Sequence, residues 1–194
     1  EGQGLVRIDR DSELVWKNPI RAHHAAEIRA ASGELWVLSR RVHESRFRAR
    51  EVPIAEDFVS VLDAATGELL RETSVLGALK RSAFRELLAD TKDEGDLLHT
   101  NALELLDGRC AEGQPAFAAG NVLLSSRVLS ALFVLDPAAR DGRGDVLWAQ
   151  RGSYRSQHDP RLLDDCRILL FDNAGYGWCS QVLELDARTL EVRW

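Results

Sequence analysis

Methionine is absent from the sequence, and lysine and cysteine are scarce, with three of each in 194 residues. Because even position 1 is not methionine, we expect the chain to be a processed product or a part of a longer protein. Acidic residues outnumber basic ones, 31 against 25, which gives a formal net charge of −6. This balance argues against nucleic acid or an anionic lipid surface as a partner, because both bind basic surfaces.

Long apolar runs are also missing. The segment 116–135 comes nearest to a membrane span, but it contains Arg127 near its middle together with several serine and glycine residues. A charge at that depth of a bilayer is costly, so the segment is predicted to form two strands and a turn. The chain is therefore not expected to span a membrane. Its first residues lack the basic and apolar regions of a signal peptide, so any such signal would already have been removed.

The three cysteines are Cys110, Cys166 and Cys179. They are too few and too irregularly spaced for a zinc ribbon or a disulfide framework. At most one internal pair can form, and Cys166 and Cys179 are the closest two in sequence. Three free thiols are the favoured expectation, because a bridge would require an oxidising compartment.

A strand, turn and strand pattern occurs four times, at residues 5–16, 58–70, 132–148 and 182–194. Each first strand ends in an aspartate, and these are Asp9, Asp63, Asp136 and Asp186. An aspartate at this point stabilises a turn by accepting hydrogen bonds from backbone amides two residues further on. The pattern therefore predicts four antiparallel hairpins.

Between the hairpins lies a second repeated pattern that begins with histidine. It starts at His24 in HAAEI, at His99 in HTNAL and at His158 in HDPRL, and an aliphatic residue follows four positions later in each case. This spacing selects His24 rather than its neighbour His23. A hydrophobic strand follows each histidine, at 33–40, 120–127 and 166–173. The middle repeat contains about a dozen extra residues, which are predicted to form an inserted loop.

Repeated four-stranded units of this length are typical of β-propeller blades. We predict an all-β partial propeller over residues 1–194, with repeat units at 5–40, 58–127, 132–173 and 182–194. These correspond to about three blades and the start of another. A short helix is predicted near residues 76–90, where leucines and a phenylalanine approximate one helical face. The ring would need further blades or a partner subunit to close, because open strand edges aggregate.

Residues at the same position of successive blades occupy equivalent places around a propeller axis. His24, His99 and His158 are therefore expected to face one site. The same argument places His23 and His43 outside that site. The acidic segment 90–96 and the basic segment around His43 are expected to be a solvated loop and an exposed connection.

The motifs between residues 97 and 173 resemble those of the bacterial arylsulfate sulfotransferases. The resemblance rests on His-x-Asn at His99, Ser-Ser-Arg ending at Arg127 and Gln-His ending at His158. It implies a six-bladed propeller that transfers a sulfuryl group from an aryl sulfate donor to a phenolic acceptor. It also implies a sulfohistidine intermediate, no metal or other cofactor, and a periplasmic or secreted location.

The resemblance further implies a role for each site residue. His158 corresponds to the nucleophile, and His99 and Arg127 correspond to the pair that holds the sulfate. Asn101 corresponds to a polar position of the substrate pocket, and His24 to a channel histidine that contacts the substrate. The chemistry agrees with these roles, because neutral imidazole is a nucleophile near pH 7 and an arginine fork matches two sulfate oxygens.

Two other functions are compatible with the sequence. Three converging imidazoles could hold iron, copper or zinc, although the charge of Arg127 would oppose a metal ion beside it. Alternatively, the blades could serve as a scaffold or as a subunit of a larger assembly, without catalysis.

Overall fold

The computed structural model describes residues 4–47, 50–91, 94–175, 177, 179–189 and 191–193. It is an all-β structure in which strands account for 51% of the residues. The strands are β1 (Leu5–Ile8), β2 (Leu14–Asn18), β3 (Ala22–Arg29), β4 (Glu34–Phe47), β5 (Arg50–Asp63), β6 (Leu69–Ser74), β7 (Gly95–Asp96), β8 (Thr100–Leu105), β9 (Val122–Ser126), β10 (Ala131–Asp136), β11 (Asp145–Arg151), β12 (His158–Leu162), β13 (Arg167–Asp172) and β14 (Gln181–Asp186).

The predicted hairpins form, and aspartates organise their turns. Strands β1 and β2, β5 and β6, and β10 and β11 pair antiparallel, and β14 is followed by a bridge between Leu185 and Val192. Leu190 and Trp194 of the last predicted hairpin lie outside the described residues. In all four turns an aspartate Oδ1 accepts hydrogen bonds from backbone amides two to four residues later; for Asp63 the donors are Ala65 and Thr66 at 2.8 Å. These aspartates are therefore structural.

The strands form separate antiparallel sheets that follow one another along the chain. After the two-stranded β1–β2 sheet come β3-β4-β5-β6, then β8-β9-β10-β11, then β12-β13-β14. The first strands of the three larger sheets lie side by side, with β3 next to β8 and β8 next to β12. The strands that contain or directly follow His24, His99 and His158 thus lie side by side, which the sequence alone could not specify. A blade count of six stays a prediction.

Two hydrophobic cores fill the spaces between successive sheets. One lies between β3–β6 and β8–β11 and includes Trp36 and Phe133, while the other lies between β8–β11 and β12–β14 and includes Phe117 and Tyr154. Strand β10 is buried along most of its length and contributes to both cores. Its continuous apolar sequence, ALFVL, is what a strand covered on both faces requires.

The predicted helix is shorter than the apolar pattern suggests. Helix α1 spans Val75–Arg81, and a 3₁₀ helix follows at Arg85–Asp90. The Ser74 hydroxyl caps α1 by accepting a hydrogen bond from the Gly77 amide at 2.7 Å. Val75, Leu76, Ala78 and Leu79 are fully or almost fully buried in the first core, which explains why this helix sits between the sheets.

The basic segment around His43 is exposed, as predicted, but it is a strand and not a connection. Strands β4 and β5 continue to pair as far as Phe47 and Arg50, so His43 lies in a long hairpin; Arg48 and Ala49 lie outside the described residues. One face of this arm carries Val52 and Ile54, which are 4% and 1% exposed in the first core. Burial of that face stabilises the strands despite the charged sequence.

The prediction of three free thiols is wrong, and the pair that forms is not the pair closest in sequence. Cys110 and Cys166 form a disulfide with a Cα–Cα distance of 5.5 Å, and Cys179 is free and exposed. The inserted loop brings Cys110 into the second core, beside the turn between β12 and β13 that carries Cys166. The spatial packing of a loop, not sequence distance, determines the pairing.

Candidate functional site

Three histidines lie together where the inner strands of the three larger sheets meet. The ring centroid of His24 is 5.2 Å from that of His99 and 6.4 Å from that of His158. His24 is exposed, and the other two are half-buried. We call this group the histidine cluster. The equivalent positions assigned from the repeat are therefore adjacent in the structure, whereas the chemical role of each histidine remains a prediction.

A β-bulge accompanies each histidine of the cluster. The strand register shifts between Ala22 and Ala26 around His24, between Thr100 and Ala102 after His99, and between His158 and Arg161. His24 and His99 have positive φ values of 57° and 47°, and Asp159 next to His158 has 49°. Bulges bend a strand and redirect its side chains, which explains how strand residues converge on one point.

Asp96 holds the imidazole of His99. Its carboxylate accepts hydrogen bonds from His99 Nδ1 at 2.6 Å and from the His99 amide at 2.8 Å. Because a carboxylate only accepts, Nδ1 of His99 carries a proton, and Nε2 is the ring nitrogen left to meet a ligand. The acidic segment 90–96 is thus not merely a solvated loop: Asp96 is only 29% exposed and belongs to the site, while Lys92 and Asp93 lie outside the described residues.

His158 is held in a similar way by the chain around it. Its Nδ1 lies 2.9 Å from the Ser156 carbonyl oxygen and 2.9 Å from Asn173 Nδ2. A proton on Nδ1 is donated to the carbonyl, and this leaves Nε2 with a lone pair. Within the described part of the chain, Nε2 of each cluster histidine makes no hydrogen bond, so all three atoms are available to a ligand.

His23 does not lie outside the site as predicted. Its Nδ1 is 2.8 Å from His24 Nδ1, and its Nε2 is 3.5 Å from Asp57 Oδ1 without a hydrogen bond of good geometry. The His23 side chain is only 6% exposed. The prediction failed because adjacent strand residues normally face opposite sides, whereas the positive φ of His24 turns it back towards His23.

Asp57 and Arg40 form a buried ion pair beneath the histidines. They are register partners on β5 and β4, and Arg40 Nε lies 2.7 Å from Asp57 Oδ1 while Nη1 lies 3.1 Å from Asp96 Oδ2. Burial opposes the ionisation of Asp57, but His23, Arg40 and the Thr100 amide outweigh it and lower the pKa to about 2. Asp57 is therefore a permanent anion in this site.

His24 has the opposite electrostatic environment. Although part of its surface is exposed, His24 is desolvated by the groups packed around it, which lowers its pKa; the neighbouring His23, His99, His158 and Arg40 lower it further, to about 4. His24 is consequently a neutral imidazole at neutral pH. It is available as a base, but it is not present as the imidazolium acid.

The two other predicted site residues, Arg127 and Asn101, lie next to the histidine cluster and not within it. Arg127 is exposed and lines a cavity of about 530 Å³ that also includes Arg151 and Arg155. Its backbone amide donates to the His99 carbonyl at 3.1 Å. Asn101 is 5% exposed and donates through Nδ2 to the Gln157 carbonyl at 2.6 Å. It thereby fixes the backbone immediately before His158.

Sequence reasoning missed Arg40, Asp57, Asp96 and Asn173. For two of them a signal was available: Arg40, Arg127 and Asn173 occupy the last position of the three strand segments 33–40, 120–127 and 166–173. The same register that selected Arg127 also selects a buried arginine and the asparagine that contacts His158. No comparable signal existed for Asp96, because the short strand β7 pairs parallel with β5 outside the repeat.

No set of three or more histidine, cysteine, aspartate or glutamate side chains among the described residues has a geometry suited to holding a metal ion. A search of the same residues for a helix long and apolar enough to cross a membrane found none.

Comparison with known proteins identifies the family. The chain matches the arylsulfotransferase (ASST) family over residues 2–192, and it therefore belongs to this family. No curated protein matches its sequence. Its fold is similar to that in the crystal structure of Saccharomyces cerevisiae Sqt1, a β-propeller-like protein, with a TM-score of 0.51 and 13% identity. The match covers 98% of this chain and 44% of that one, so the chain spans less than half of the solved structure.

Proposed function

We propose that this chain forms part of a propeller enzyme that transfers a sulfuryl group from an aryl sulfate to a phenol through a sulfohistidine at His158. Membership of the arylsulfotransferase family supports sulfuryl transfer in general. The observation that carries the finer proposal is the histidine cluster, in which each imidazole is held through Nδ1 and presents Nε2.

In the first half of the reaction, Nε2 of His158 attacks the sulfur atom and the phenoxide departs. The lone pair on Nε2 is available when Nδ1 carries the proton and donates it to the Ser156 carbonyl, which also accepts from Asn173 Nδ2. In the second half, a phenol oxygen attacks the sulfur of the sulfohistidine and restores free His158. Asn101 supports this geometry by anchoring the Gln157 carbonyl, which lies one residue before the nucleophile.

The sulfate oxygens require positive or donating groups as charge shifts during transfer. In the proposed complex His99 faces these oxygens from one side of His158, and Arg127 approaches from the neighbouring cavity on the loop that follows β9. The Arg127 guanidinium makes no hydrogen bond or ion pair within the described residues. Its N–H donors are therefore available to bind an anion. His24 is placed to exchange a proton with the phenol oxygen.

Residues from further blades or from a partner subunit would complete the proposed ring of six blades. The exposed apolar side chains of β1 and β2, such as Ile8 at 55% and Leu14 at 58%, are consistent with a neighbouring sheet that covers them. A periplasmic or secreted location is proposed with this function, and the Cys110–Cys166 disulfide supports it because such bridges persist in oxidising compartments.

Replacement of His158 by alanine tests the mechanism. We expect His158→Ala to reduce transfer from 4-nitrophenyl sulfate to phenol by at least about 10³-fold, because the covalent route is lost. His43→Ala is the matched control: His43 pairs with Glu56 on the β4–β5 arm and should leave the rate within about twofold. Transfer by His158→Ala at the wild-type rate would contradict the proposal, as would an adduct found on another residue by mass spectrometry of the sulfated protein.

A further inference from the structure

His23 and His24 share a hydrogen bond that the proposed reaction does not use. Their Nδ1 atoms are 2.8 Å apart, and the two rings are nearly perpendicular at 87°. A hydrogen bond between two imidazole nitrogens requires that one carries a proton and the other a lone pair. The proton position on His24 is therefore determined by that on His23: when His23 donates, the proton of neutral His24 lies on Nε2, which makes no hydrogen bond within the described residues.

The charges beneath this pair indicate which state is favoured. Asp57 and Asp96 carry two carboxylates, and Arg40 supplies one guanidinium between them. One negative charge is left uncompensated by this arginine, and His23 Nε2 lies 3.5 Å from Asp57 Oδ1 with no other partner among the described residues. A proton on Nε2 satisfies both the carboxylate and a nitrogen that is otherwise buried without a bond.

We propose that Asp57, His23 and His24 form a proton relay, in which His23 supplies and takes back the proton that His24 exchanges with the phenol oxygen. This proposal rests on the function proposed above. His23 acts through His24 and does not touch the substrate, so it is a positioning residue. The chemical class served by the relay is a phenol whose oxygen must be protonated on leaving, such as an unactivated phenol.

The steps balance in protons and charge. At the start, His23 carries protons on both nitrogens beside Asp57, and neutral His24 carries one proton on Nε2. As the sulfur–oxygen bond breaks, His24 gives this proton to the phenoxide while its Nδ1 takes the proton from His23 Nδ1. In the second half-reaction the incoming phenol gives its proton to His24 Nε2, and the Nδ1 proton returns to His23.

This arrangement also resolves a conflict in the site. A neutral imidazole is a weak acid, and the cationic form of His24 is disfavoured by the surrounding His23, His99, His158 and Arg40. With the relay the positive charge resides on His23 next to Asp57 before the transfer, is neutralised as the proton reaches the phenoxide, and never resides on His24. His24 can then donate a proton at neutral pH, although its own pKa is about 4.

The dependence on the leaving group tests the relay. His23→Gln keeps a hydrogen-bonding side chain but cannot pass a proton through. For phenyl sulfate, we expect kcat/KM of this variant to fall by about 10²-fold, because phenoxide is a poor leaving group that needs general acid catalysis. For 4-nitrophenyl sulfate, whose phenoxide leaves without a proton, the loss should be below about threefold. With a ping-pong enzyme, kcat/KM for the donor reports only the first half-reaction.

Three further measurements separate the relay from a structural role. The double variant His23→Gln/His24→Gln should be no slower than His24→Gln alone, because His23 acts through His24. His43→Gln, on the arm outside the site, should leave kcat/KM unchanged for both donors. In the wild-type protein at neutral pH, ¹⁵N NMR of the imidazoles should show the His23–His24 hydrogen bond and a neutral His24.

Each outcome has one interpretation. Equal losses on both donors, no loss on either, or a cationic His24 in the ¹⁵N spectrum would overturn the relay and leave the sulfuryl transfer intact. A wild-type protein that transfers from neither donor would overturn the proposed function, and with it the catalytic use of the relay. If His23→Gln does not fold, the NMR measurement on the wild-type protein still decides.

Discussion

Glu104 illustrates how a single carboxyl group responds to the packing of the inner strands. Its Oε2 accepts a hydrogen bond from the Leu162 amide at 2.7 Å, which ties β8 to β12. Burial is the main factor that raises the pKa of Glu104, and the nearby carboxylate of Glu27 also raises it. The Leu162 amide and Arg161 lower it, and the net pKa is about 7. Near neutral pH the fold therefore favours the protonated form of this residue.

This pKa predicts a dependence of stability on pH. A carboxyl group with a raised folded-state pKa contributes stability that is fully present below its unfolded value of 4.5 and is lost as pH rises through about 7. Glu104→Gln removes the ionisation but keeps the oxygen that accepts from Leu162. We expect the variant to exceed the wild type by about 1 to 2 kcal/mol in free energy of unfolding at pH 8, after allowance for solvent screening.

Urea unfolding of both proteins at pH 3 and pH 8 measures this effect. The two curves should coincide within error at pH 3, where Glu104 is protonated in both the folded and the unfolded state. Glu86→Gln, at an exposed position of the 3₁₀ helix, is the control and should show no gain at either pH. A gain of equal size at both pH values would show that packing, not ionisation, is responsible.

The residues of the site divide into those that sequence could identify and those that it could not. His24, His99 and His158 share a position in a repeat, and repeats place equivalent residues around one axis. Asp57 and Asp96 support them from a different strand and from a segment outside the repeat. His23 escaped because backbone conformation at its neighbour, which sequence does not display, turns two adjacent rings towards each other.

At the level of elements, the hairpin turns link one sheet to the next. The β1–β2 hairpin contacts the turn between β5 and β6, where Trp16 Nε1 donates to the Ala64 carbonyl at 3.1 Å and Asn18 donates to the Gly67 carbonyl at 2.8 Å. Gly67 has a φ of +75°, and a Cβ atom there would lie 2.5 Å from the Trp16 ring. Glycine is thus required twice, for its backbone conformation and for the close approach of the indole.

Gly33 provides a matched comparison for this packing. It occupies the turn between β3 and β4 with a φ of +68°, but a Cβ atom there would meet nothing within 4 Å. Gly33→Ala should cost about 1 kcal/mol of stability from backbone strain alone. Gly67→Ala should cost about 2 to 4 kcal/mol, because displacement of Trp16 is added to a similar strain.

Thermal or urea unfolding of the two variants measures the difference. In the background of Trp16→Ala the extra cost of Gly67→Ala should disappear, so the two glycine variants should become equal. Equal costs in the presence of Trp16 would instead mean that the hairpins do not pack on each other in solution.

Strands were predictable where apolar residues alternate or run continuously, and less so where charge dominates. The hairpins, the two strands within 116–135 and the inserted loop all follow from such patterns. The outer part of the β4–β5 arm does not, because β5 contributes the buried Val52 and Ile54, whereas β4 presents residues 41–44 to solvent. Burial of Val52 and Ile54 on one side decides the conformation of both strands through their hydrogen bonds.

In the molecule as a whole, the sheets are joined by packing and by one covalent link. The cores between successive sheets hold each sheet against its neighbours. The Cys110–Cys166 disulfide joins the β12–β14 sheet to the loop between β8 and β9. Sequence could not predict this bridge, because 56 residues separate the two cysteines and the loop that carries Cys110 interrupts the repeat. Only the folded loop brings the two sulfur atoms together.

The disulfide should therefore make a measurable contribution to the stability of the chain. Closing a segment of 56 residues restricts the unfolded ensemble, which chain-entropy estimates value at about 4 kcal/mol. We expect Cys110→Ser/Cys166→Ser to lower the free energy of unfolding by about 2 to 4 kcal/mol, and reduction of the wild-type protein to have a similar effect. Cys179→Ser should leave stability unchanged, because that thiol is exposed and unpaired.

Thiol titration in denaturant should give one reactive group before reduction and three afterwards. Three groups before reduction, or a Cys179→Ser variant as unstable as the double variant, would contradict the pairing and the way it joins the sheets.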